Sequence, residues 1–197
     1  MDRQVLHQQA GWTAGNRLQI IAGPCAIESE EVAMEVAEGV VEVCAALDLP
    51  LIFKASFDKA NRQSHTSYRG PGLASGLSIL SAVRCQFGSQ LLITTDVHEV
   101  AQVDAVAEIA DIVQIPALLC RQTDLIAAVA GTGRMVNIKR CPYVAPETML
   151  HAARKVVHFS PQESNFTEGK QTECVKGFSR PNSPKPVMLT DRGTALG

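Results

Sequence analysis

The chain has 197 residues, of which 46% are hydrophobic and 19% charged, and its formal net charge at pH 7 is −2. This length and apolar content are enough for the core of one domain. The nearly neutral charge excludes a protein that binds nucleic acid through a generally basic surface. No apolar run reaches the roughly 18 residues that a membrane span requires, so we expect no membrane partner.

Two further features of the sequence predict a cytoplasmic protein. Residues 1–17 form an irregular N-terminal arm without the apolar core of a signal peptide. The six cysteines include no C-x-x-C pair and suggest no disulfide framework.

Short apolar runs alternate with helical patterns along the rest of the chain. Strands are predicted at 18–22, 51–56, 91–95, 112–115, 135–139 and 187–189. Helices are predicted after Ser29 and at about 73–86, 99–110, 122–130 and 146–157. Ser29 is the expected N-cap of the first helix. The apolar face of that helix is expected to comprise Val32, Val36, Val40, Val43 and Leu47.

Strands that alternate with helices are expected to pair in parallel, since a tight hairpin cannot join parallel neighbours. Six such strands suit either an open doubly wound sheet or part of a β/α barrel. No G-x-G-x-x-G motif follows a strand, which disfavours a dinucleotide-binding sheet. The chemically suggestive residues follow the carboxyl ends of strands, where barrel enzymes place their active sites.

Residues 158–186 interrupt this alternation. They contain few apolar residues and many Ser, Pro, Gly, Asn and Lys, which predicts a flexible insertion. The insertion is either natural or the result of a damaged reading frame. We therefore expect residues 18–197 to form one domain that carries this insertion.

The loop after the second predicted strand concentrates cations and small polar residues. Its sequence from residue 53 to 72 is FKASFDKANRQSHTSYRGPG, in which Phe57 and Tyr68 are expected anchors. Such a loop is suited to holding phosphate or carboxylate groups, and the alternative is a solvated basic loop. The cations and intervening polar residues are Lys54, Ser56, Lys59, Asn61, Arg62, Ser64 and Arg69.

Other positions also follow strand ends. Asp96 and His98 combine a carboxylate with an imidazole, as acid/base chemistry or orientation of a sugar hydroxyl requires. Glu99 is better explained as a charge at a helix N-terminus. Arg121 would be an unfavourable cation at such a terminus unless it has another role.

Several of these stretches closely resemble the 3-deoxy-D-manno-octulosonate 8-phosphate synthase family. The resemblance lies in FKASFDKANR and SYRGPG, and in IAGPCAIES (21–29), TDVHE (95–99), QIPALLCRQTDL (114–125) and VNIK (136–139). It recurs weakly in DRGTALG (191–197). The resemblance implies a TIM-type (β/α)8 barrel. About six β/α units are present, and the family's two further strands would follow.

The resemblance also implies an activity, which is the condensation of phosphoenolpyruvate with arabinose 5-phosphate for lipopolysaccharide biosynthesis. The family's tetramer predicts a homo-oligomer, in which Arg121 reaches the sugar phosphate of a neighbouring subunit. Lys59, Asp96 and Lys139 are the expected catalytic residues. The implied substrate-binding residues are Lys54, Ser56, Lys59, Asn61, Arg62, Ser64, Asp96, Gln114, Pro116, Arg121, Lys139 and Arg192.

Cys25 raises the question of a metal. A cysteine after Gly-Pro is most often a small buried hydrophobe. The resemblance instead implies a ligand for a divalent ion such as zinc, manganese or iron, because metal-dependent members have cysteine there and metal-independent members have asparagine. A metal centre needs three or four protein ligands. The remaining family ligands are expected in the two further strands.

The sequence departs from the family at several positions, which are Gln63, Cys141, Pro142 and Asp191. Two other functions therefore stay open. One is the related 3-deoxy-D-arabino-heptulosonate 7-phosphate synthase, which uses erythrose 4-phosphate, although the K-A-N-R motif argues against it. The other is a catalytically inactive, truncated homologue that binds anions or pairs with an intact subunit.

Overall fold

Strands and helices alternate through the whole part of the chain that the computed structural model describes, which is residues 18–161 and 187–193. These residues form two compact units. Unit one contains residues 18–95, and unit two contains residues 96–161 and 187–193. The predicted arm 1–17 and most of the predicted insertion 158–186 lie outside the described residues.

Unit one contains three parallel strands and two long helices. Strand β1 is Ile20–Ala22, β2 is Leu51–Lys54 and β3 is Leu92–Asp96, whose last residue begins unit two. Helix α1 is Glu30–Ala46 and α2 is Leu73–Phe87. The registers pair Ala22 with Phe53 and Lys54 with Thr94. Lys54 therefore ends the middle strand of this unit, beside a buried threonine.

Helix α1 begins as predicted but faces the core differently. The hydroxyl oxygen of Ser29 accepts a hydrogen bond from the amide of Val32 at 3.2 Å, so the predicted N-cap is confirmed. The predicted apolar face is wrong, since Val43 and Leu47 are 57% and 62% exposed. The residues that are buried are Ala33, Ala37, Val41 and Cys44. These mostly small side chains let the helix backbone approach its neighbours, and the larger valines lie beside the contact.

Unit two repeats the parallel arrangement. Strand β4 is Ile112–Ile115, β5 is Met135–Lys139 and β6 is Val187–Thr190. Helix α3 is Val103–Ile109, α4 is Thr123–Gly131 and α5 is Met149–Phe159. Helix α5 therefore continues two residues into the predicted insertion. The registers pair Gln114 with Asn137 and Lys139 with Thr190.

The predicted fold class is confirmed. The chain is an α/β protein whose parallel strands alternate with helices, as in an incomplete TIM-type barrel, and the described residues contain six strands at the predicted places. Within each unit the carboxyl ends of the parallel strands lie at one edge of the sheet. None of the described helices is both long and apolar enough to cross a membrane.

Two helical glycines of unit one provide a test of this packing. A Cβ atom at Gly76 in α2 would lie 2.3 Å from Cβ of Phe57, whereas one at Gly39 in α1 would have nothing within 4 Å. Glycine normally costs a helix about 1 kcal/mol relative to alanine. We therefore expect Gly39→Ala to stabilise the protein by up to about 1 kcal/mol. Gly76→Ala should destabilise it by about 1–3 kcal/mol through overpacking.

Urea unfolding of the two variants beside the wild type measures both free energies. The two substitutions make the same chemical change, so each serves as the control for the other. An equal stabilisation by both would show that α2 does not pack on Phe57 as described.

Candidate active site

Two lysines converge on one buried hydroxyl at the carboxyl end of β2. Ser56 is fully buried, and its Oγ accepts hydrogen bonds from Nζ of Lys54 at 3.3 Å and Nζ of Lys59 at 2.9 Å. A hydroxyl oxygen has two lone pairs and can therefore accept from both ammonium groups. This arrangement holds two positive charges close together, as binding an anion such as phosphate or carboxylate requires.

Backbone hydrogen bonds hold Ser56 itself. Its amide donates to the carbonyl of Cys25 at 3.4 Å, and its carbonyl accepts from the amide of Ile27 at 3.0 Å. These bonds join the segment after β1 to the end of β2. The segment that carries Cys25 therefore lies beside the segment that carries the lysines.

The loop that follows folds back on itself. The amide of Gly72 donates to the carbonyl of Phe57 at 3.1 Å, so the two ends of the loop meet. Gly70 has a φ of +127°, and a Cβ there would lie 2.3 Å from the same carbonyl oxygen, so only glycine fits. Phe57 is buried, and the hydroxyl of Tyr68 donates to the carbonyl of Ile27 at 3.0 Å. The two predicted anchors are confirmed, and these bonds favour an ordered loop over a solvated one.

The loop does not use all of its cations in the same way. Nε of Arg69 donates to Oδ1 of Asp58 at 2.8 Å, so Arg69 neutralises a carboxylate of the loop, in contrast to its predicted place in the anion site. Nε of Arg62 donates to the carbonyl of Tyr68 at 3.2 Å. Oγ of Ser64 lies 2.8 Å from Oγ1 of Thr66. Asn61, Arg62 and Ser64 are all exposed.

Cys25 is exposed, which contradicts the interpretation as a small buried hydrophobe. Partial burial acts to raise the pKa of its thiol, but a hydrogen bond with Lys59 and the charges of Lys59, Lys54 and Arg62 outweigh it and lower the pKa. The thiolate, which is the nucleophilic and metal-binding form, is thereby favoured.

A complete metal centre is not formed by the described residues. No group of three or more His, Cys, Asp or Glu side chains lies close enough there to hold an ion. Cys25 has Lys59 as its neighbour rather than further ligands. The five cysteines of residues 18–161 are free thiols.

In unit two, the segment after β3 carries the predicted acid/base pair. Nε2 of His98 lies 3.5 Å from Oδ2 of Asp96, and both side chains are nearly buried. The amide of His98 donates to Oε1 of Gln102 at 2.8 Å, which fixes the turn. Glu99 is exposed and precedes the 3-10 helix Val100–Gln102, as expected for a charge at a helix N-terminus.

The carboxyl ends of β4, β5 and β6 bring further polar residues to one face. Gln114 pairs with Asn137, and because side chains alternate along a strand, Lys139 lies on the same face as Asn137. Oγ1 of Thr190 donates to Oδ1 of Asn137 at 2.8 Å. The sequence analysis did not identify Asn137 as a site residue. The signal was a single amide within the apolar strand Met135–Lys139.

Two predicted residues lie in the segment between β4 and α4. Pro116 is half-buried and precedes the 3-10 helix Ala117–Leu119. Arg121 is exposed, and its carbonyl accepts from Nζ of Lys155 at 3.1 Å. Arg121 lines a shallow cavity of about 160 Å³ together with Thr148, Met149, His151, Ala152 and Lys155.

Arg192 is exposed just after β6. The preceding residue, Asp191, is bound by Arg140, a second residue that the sequence analysis did not identify as part of the site. Nε of Arg140 donates to Oδ1 of Asp191 at 2.9 Å. The amide of Gly193 and the guanidinium of Arg140 lower the pKa of Asp191. The departure from the family at Asp191 thus keeps a carboxylate with a guanidinium partner.

Comparison of the sequence with known proteins identifies its family. A sequence profile of the DAHP synthetase I family matches residues 5–190. The chain belongs to the DAHP synthetase I family. Relatives within this family can therefore be compared with the chain.

Curated relatives in the DAHP synthetase I family are named 2-dehydro-3-deoxyphosphooctonate aldolase. The protein from Koribacter versatilis (strain Ellin345) is 51% identical over 154 residues, which cover 78% of this chain and 55% of the relative. The protein from Acidithiobacillus ferrooxidans (strain ATCC 53993 / BNL-5-31) is 54% identical over 136 residues, or 69% of this chain and 48% of the relative. The protein from Syntrophotalea carbinolica (strain DSM 2380 / NBRC 103641 / GraBd1) is 53% identical over 178 residues, or 90% and 55%. The chain thus spans about half the length of these relatives.

The lowered pKa of Cys25 gives a first prediction for this family member. Removal of the Lys59 charge in Lys59→Met should raise the thiol pKa, because the hydrogen bond and the nearest positive charge disappear. Each unit of increase leaves about tenfold less thiolate below the pKa. The pH dependence of iodoacetamide alkylation at Cys25, followed by mass spectrometry in metal-free buffer, measures the shift.

The same digest contains internal references. Cys44, whose pKa is raised by burial, should alkylate slowly in all variants. Lys155→Met removes a lysine of unit two and should leave the Cys25 profile unchanged. An unchanged profile in Lys59→Met would contradict the described contact.

Asp191 predicts a dependence of stability on pH. Because its folded pKa lies below the unfolded value of about 3.9, its contribution is present above that value. The contribution should be lost as the pH falls through the folded pKa. The difference in free energy of unfolding between wild type and Asp191→Asn should therefore be constant from about pH 5 to 7 and shrink towards pH 2. Urea unfolding curves measure it, and a difference that grows on acidification would oppose this assignment.

Proposed function

We propose that the chain carries substrate-binding residues of a transferase, 3-deoxy-8-phosphooctulonate synthase. The enzyme would condense phosphoenolpyruvate with arabinose 5-phosphate to give 3-deoxy-D-manno-octulosonate 8-phosphate and phosphate, for lipopolysaccharide biosynthesis. The observation that carries the proposal is the convergence of Lys54 and Lys59 on buried Ser56. The name shared by relatives that are 51–54% identical supports the choice of substrates.

The charges suit phosphoenolpyruvate. This substrate carries close to three negative charges, and Lys59, Lys139 and Arg192 would supply three positive ones. Such a balance offsets the cost of removing charges from water. Gln114 and Pro116, at the end of β4, complete the proposed contacts with this substrate.

The sugar phosphate would be held by the loop after β2 and by the segment after β3. Asn61, Arg62 and Ser64 are exposed on that loop and able to donate to phosphate oxygens. Asp96, which lies 3.5 Å from His98, would accept a hydrogen bond from a sugar hydroxyl and orient the aldehyde. The exposed Arg121 would reach the sugar phosphate of a neighbouring subunit in a homo-oligomer, which we expect to be a cytoplasmic tetramer.

In the proposed reaction, carbon 3 of phosphoenolpyruvate attacks the aldehyde carbon and the aldehyde oxygen takes up a proton. Water adds to the oxocarbenium-like carbon 2, and the C–O bond to phosphate then breaks. Lys59 and Lys139 would stabilise the phosphate charge and align the two anions. The Asp96–His98 pair would supply or guide the proton for the new hydroxyl.

A divalent metal enters the proposal only through Cys25. Its thiolate is a suitable ligand for zinc, manganese or iron. The described residues alone do not fit a complete centre, since they offer no cluster of three ligands.

One alternative is an inactive homologue that only binds anions, since the described residues do not form a complete metal centre. The description of the family keeps the heptulosonate synthase as a second alternative. The K-A-N-R motif and the names of the relatives oppose the second.

The proposal is tested by phosphate release from phosphoenolpyruvate. We expect release that requires arabinose 5-phosphate. Release that also stops after chelation and returns with manganese or zinc would show that Cys25 is joined by ligands outside the described residues. Lys59→Met should reduce the rate about a hundredfold, as loss of one charge-stabilising donor does. Arg154→Met, which removes an exposed cation of helix α5, should retain the rate.

Three outcomes separate the alternatives. A preference for erythrose 4-phosphate would favour the heptulosonate synthase. Calorimetric binding of phosphoenolpyruvate without turnover would favour the inactive homologue. A folded sample that neither binds phosphoenolpyruvate nor releases phosphate would reject both the synthase and the substrate-binding assignment.

A further inference from the structure

The guanidinium of Arg140 is committed to protein acceptors. The side chain follows β5 and is only 6% exposed. Nε and Nη2 donate to Oδ1 of Asp191 at 2.9 and 2.6 Å. Nη2 also donates to the carbonyl of Gly193 at 2.7 Å, and Nη1 donates to the carbonyl of Val144 at 2.7 Å. Four of the five N–H groups of an arginine are thus used within the protein.

These bonds surround the backbone of Arg192. The amide of Arg140 donates to the carbonyl of Thr190 at 2.8 Å, and its side chain binds Asp191 and Gly193 on either side of Arg192. The amide of Gly193 donates to Oδ1 of Asp191 at 2.9 Å and closes the turn. Gly193 has a φ of +83°, which glycine adopts without strain.

Arg140 differs from Arg192 because most of its N–H donors already bind protein acceptors. To bind a substrate, the buried guanidinium would have to give up its hydrogen bonds to Asp191 and to the carbonyls of Val144 and Gly193. Such charge-assisted bonds are among the stronger ones in proteins. Arg192, in contrast, is exposed. Arg140 is thus placed to act on an anion through Arg192 rather than by direct contact.

We infer that Arg140 is a positioning residue for the proposed reaction. It holds the turn Asp191–Gly193 so that the guanidinium of Arg192 is presented to phosphoenolpyruvate. The fork geometry of arginine suits this role, because one group binds a carboxylate and two carbonyls at once. The inference rests on the proposed function, since phosphoenolpyruvate is the anion that Arg192 would bind.

A double-mutant cycle tests whether Arg140 acts through Arg192. Calorimetry would measure the phosphoenolpyruvate affinity of wild type, Arg140→Met, Arg192→Met and the double variant. We expect Arg140→Met to weaken binding about tenfold or more, as loss of charge-assisted hydrogen bonds does. The double variant should bind no more weakly than Arg192→Met alone. Additive losses would overturn the inference.

A second readout is independent of substrate. The backbone order parameter of the Arg192 amide should fall from about 0.85, typical of rigid backbone, to below about 0.6 in Arg140→Met. Arg134→Met is the matched control, because Arg134 is a buried arginine that precedes β5 at its opposite end. That variant should lose stability and keep both the affinity and the Arg192 order parameter.

Two further outcomes also test the role of Arg140. If Arg140→Met does not fold, Arg140→Lys replaces it in the cycle, because lysine keeps the charge but not the fork. If wild type does not bind phosphoenolpyruvate, the proposed function fails. The order parameters then judge the inference, and an Arg192 amide that stays rigid without Arg140 rejects it.

Discussion

Two ammonium groups share one buried hydroxyl in unit one, and the other features of its site depend on this arrangement. Lys54 and Lys59 come from a strand end and from a loop, and they meet because Ser56 accepts from both. Two like charges at this separation repel each other. The lysines also lower the pKa of the nearby Cys25 thiol. The site therefore concentrates positive charge where an anion would bind.

In unit two, the two arginines at the ends of β5 and β6 differ in burial. Arg140 is buried and donates to Asp191 and to backbone carbonyls, whereas Arg192 is exposed. A similar division occurs in the loop of unit one, where Arg69 pairs with Asp58. In both units, one arginine pairs with a carboxylate, while an exposed arginine nearby, Arg62 or Arg192, is a proposed ligand. Counting positive charges along the sequence does not separate these two roles.

The sequence was sufficient where a local rule determines the structure. The Ser29 cap depends on one side chain and an amide three residues later, and it was predicted. The strand positions followed from short apolar runs, and the α/β class followed from their alternation with helices. The barrel, in contrast, was implied by the family resemblance. The glycines of the loop after β2 marked its end, where Gly72 returns to Phe57.

The sequence did not predict features that depend on contacts between distant residues. The valine stripe of α1 was as periodic as the alanine stripe beside it, and only the packed neighbours show that Ala33 and Ala37 are buried. Arg140 and Asp191 are 51 residues apart in sequence, so no spacing could pair them. Hydropathy alone could not assign Asn137 a partner, since the hydroxyl of Thr190 lies 53 residues away.

The hydrogen bond between Phe57 and Gly72 has a consequence for the evolution of the site. The amide of Gly72 lies 3.1 Å from the carbonyl oxygen of Phe57, so residues 58–71 form a loop whose two ends are joined. Doubling the length of such a loop costs only about 0.6 kcal/mol in closure entropy. Insertions among the exposed residues 60–67 would therefore leave β2 and α2 in place. The part of the chain that would recognise the second substrate can diverge while the fold that supports it stays unchanged.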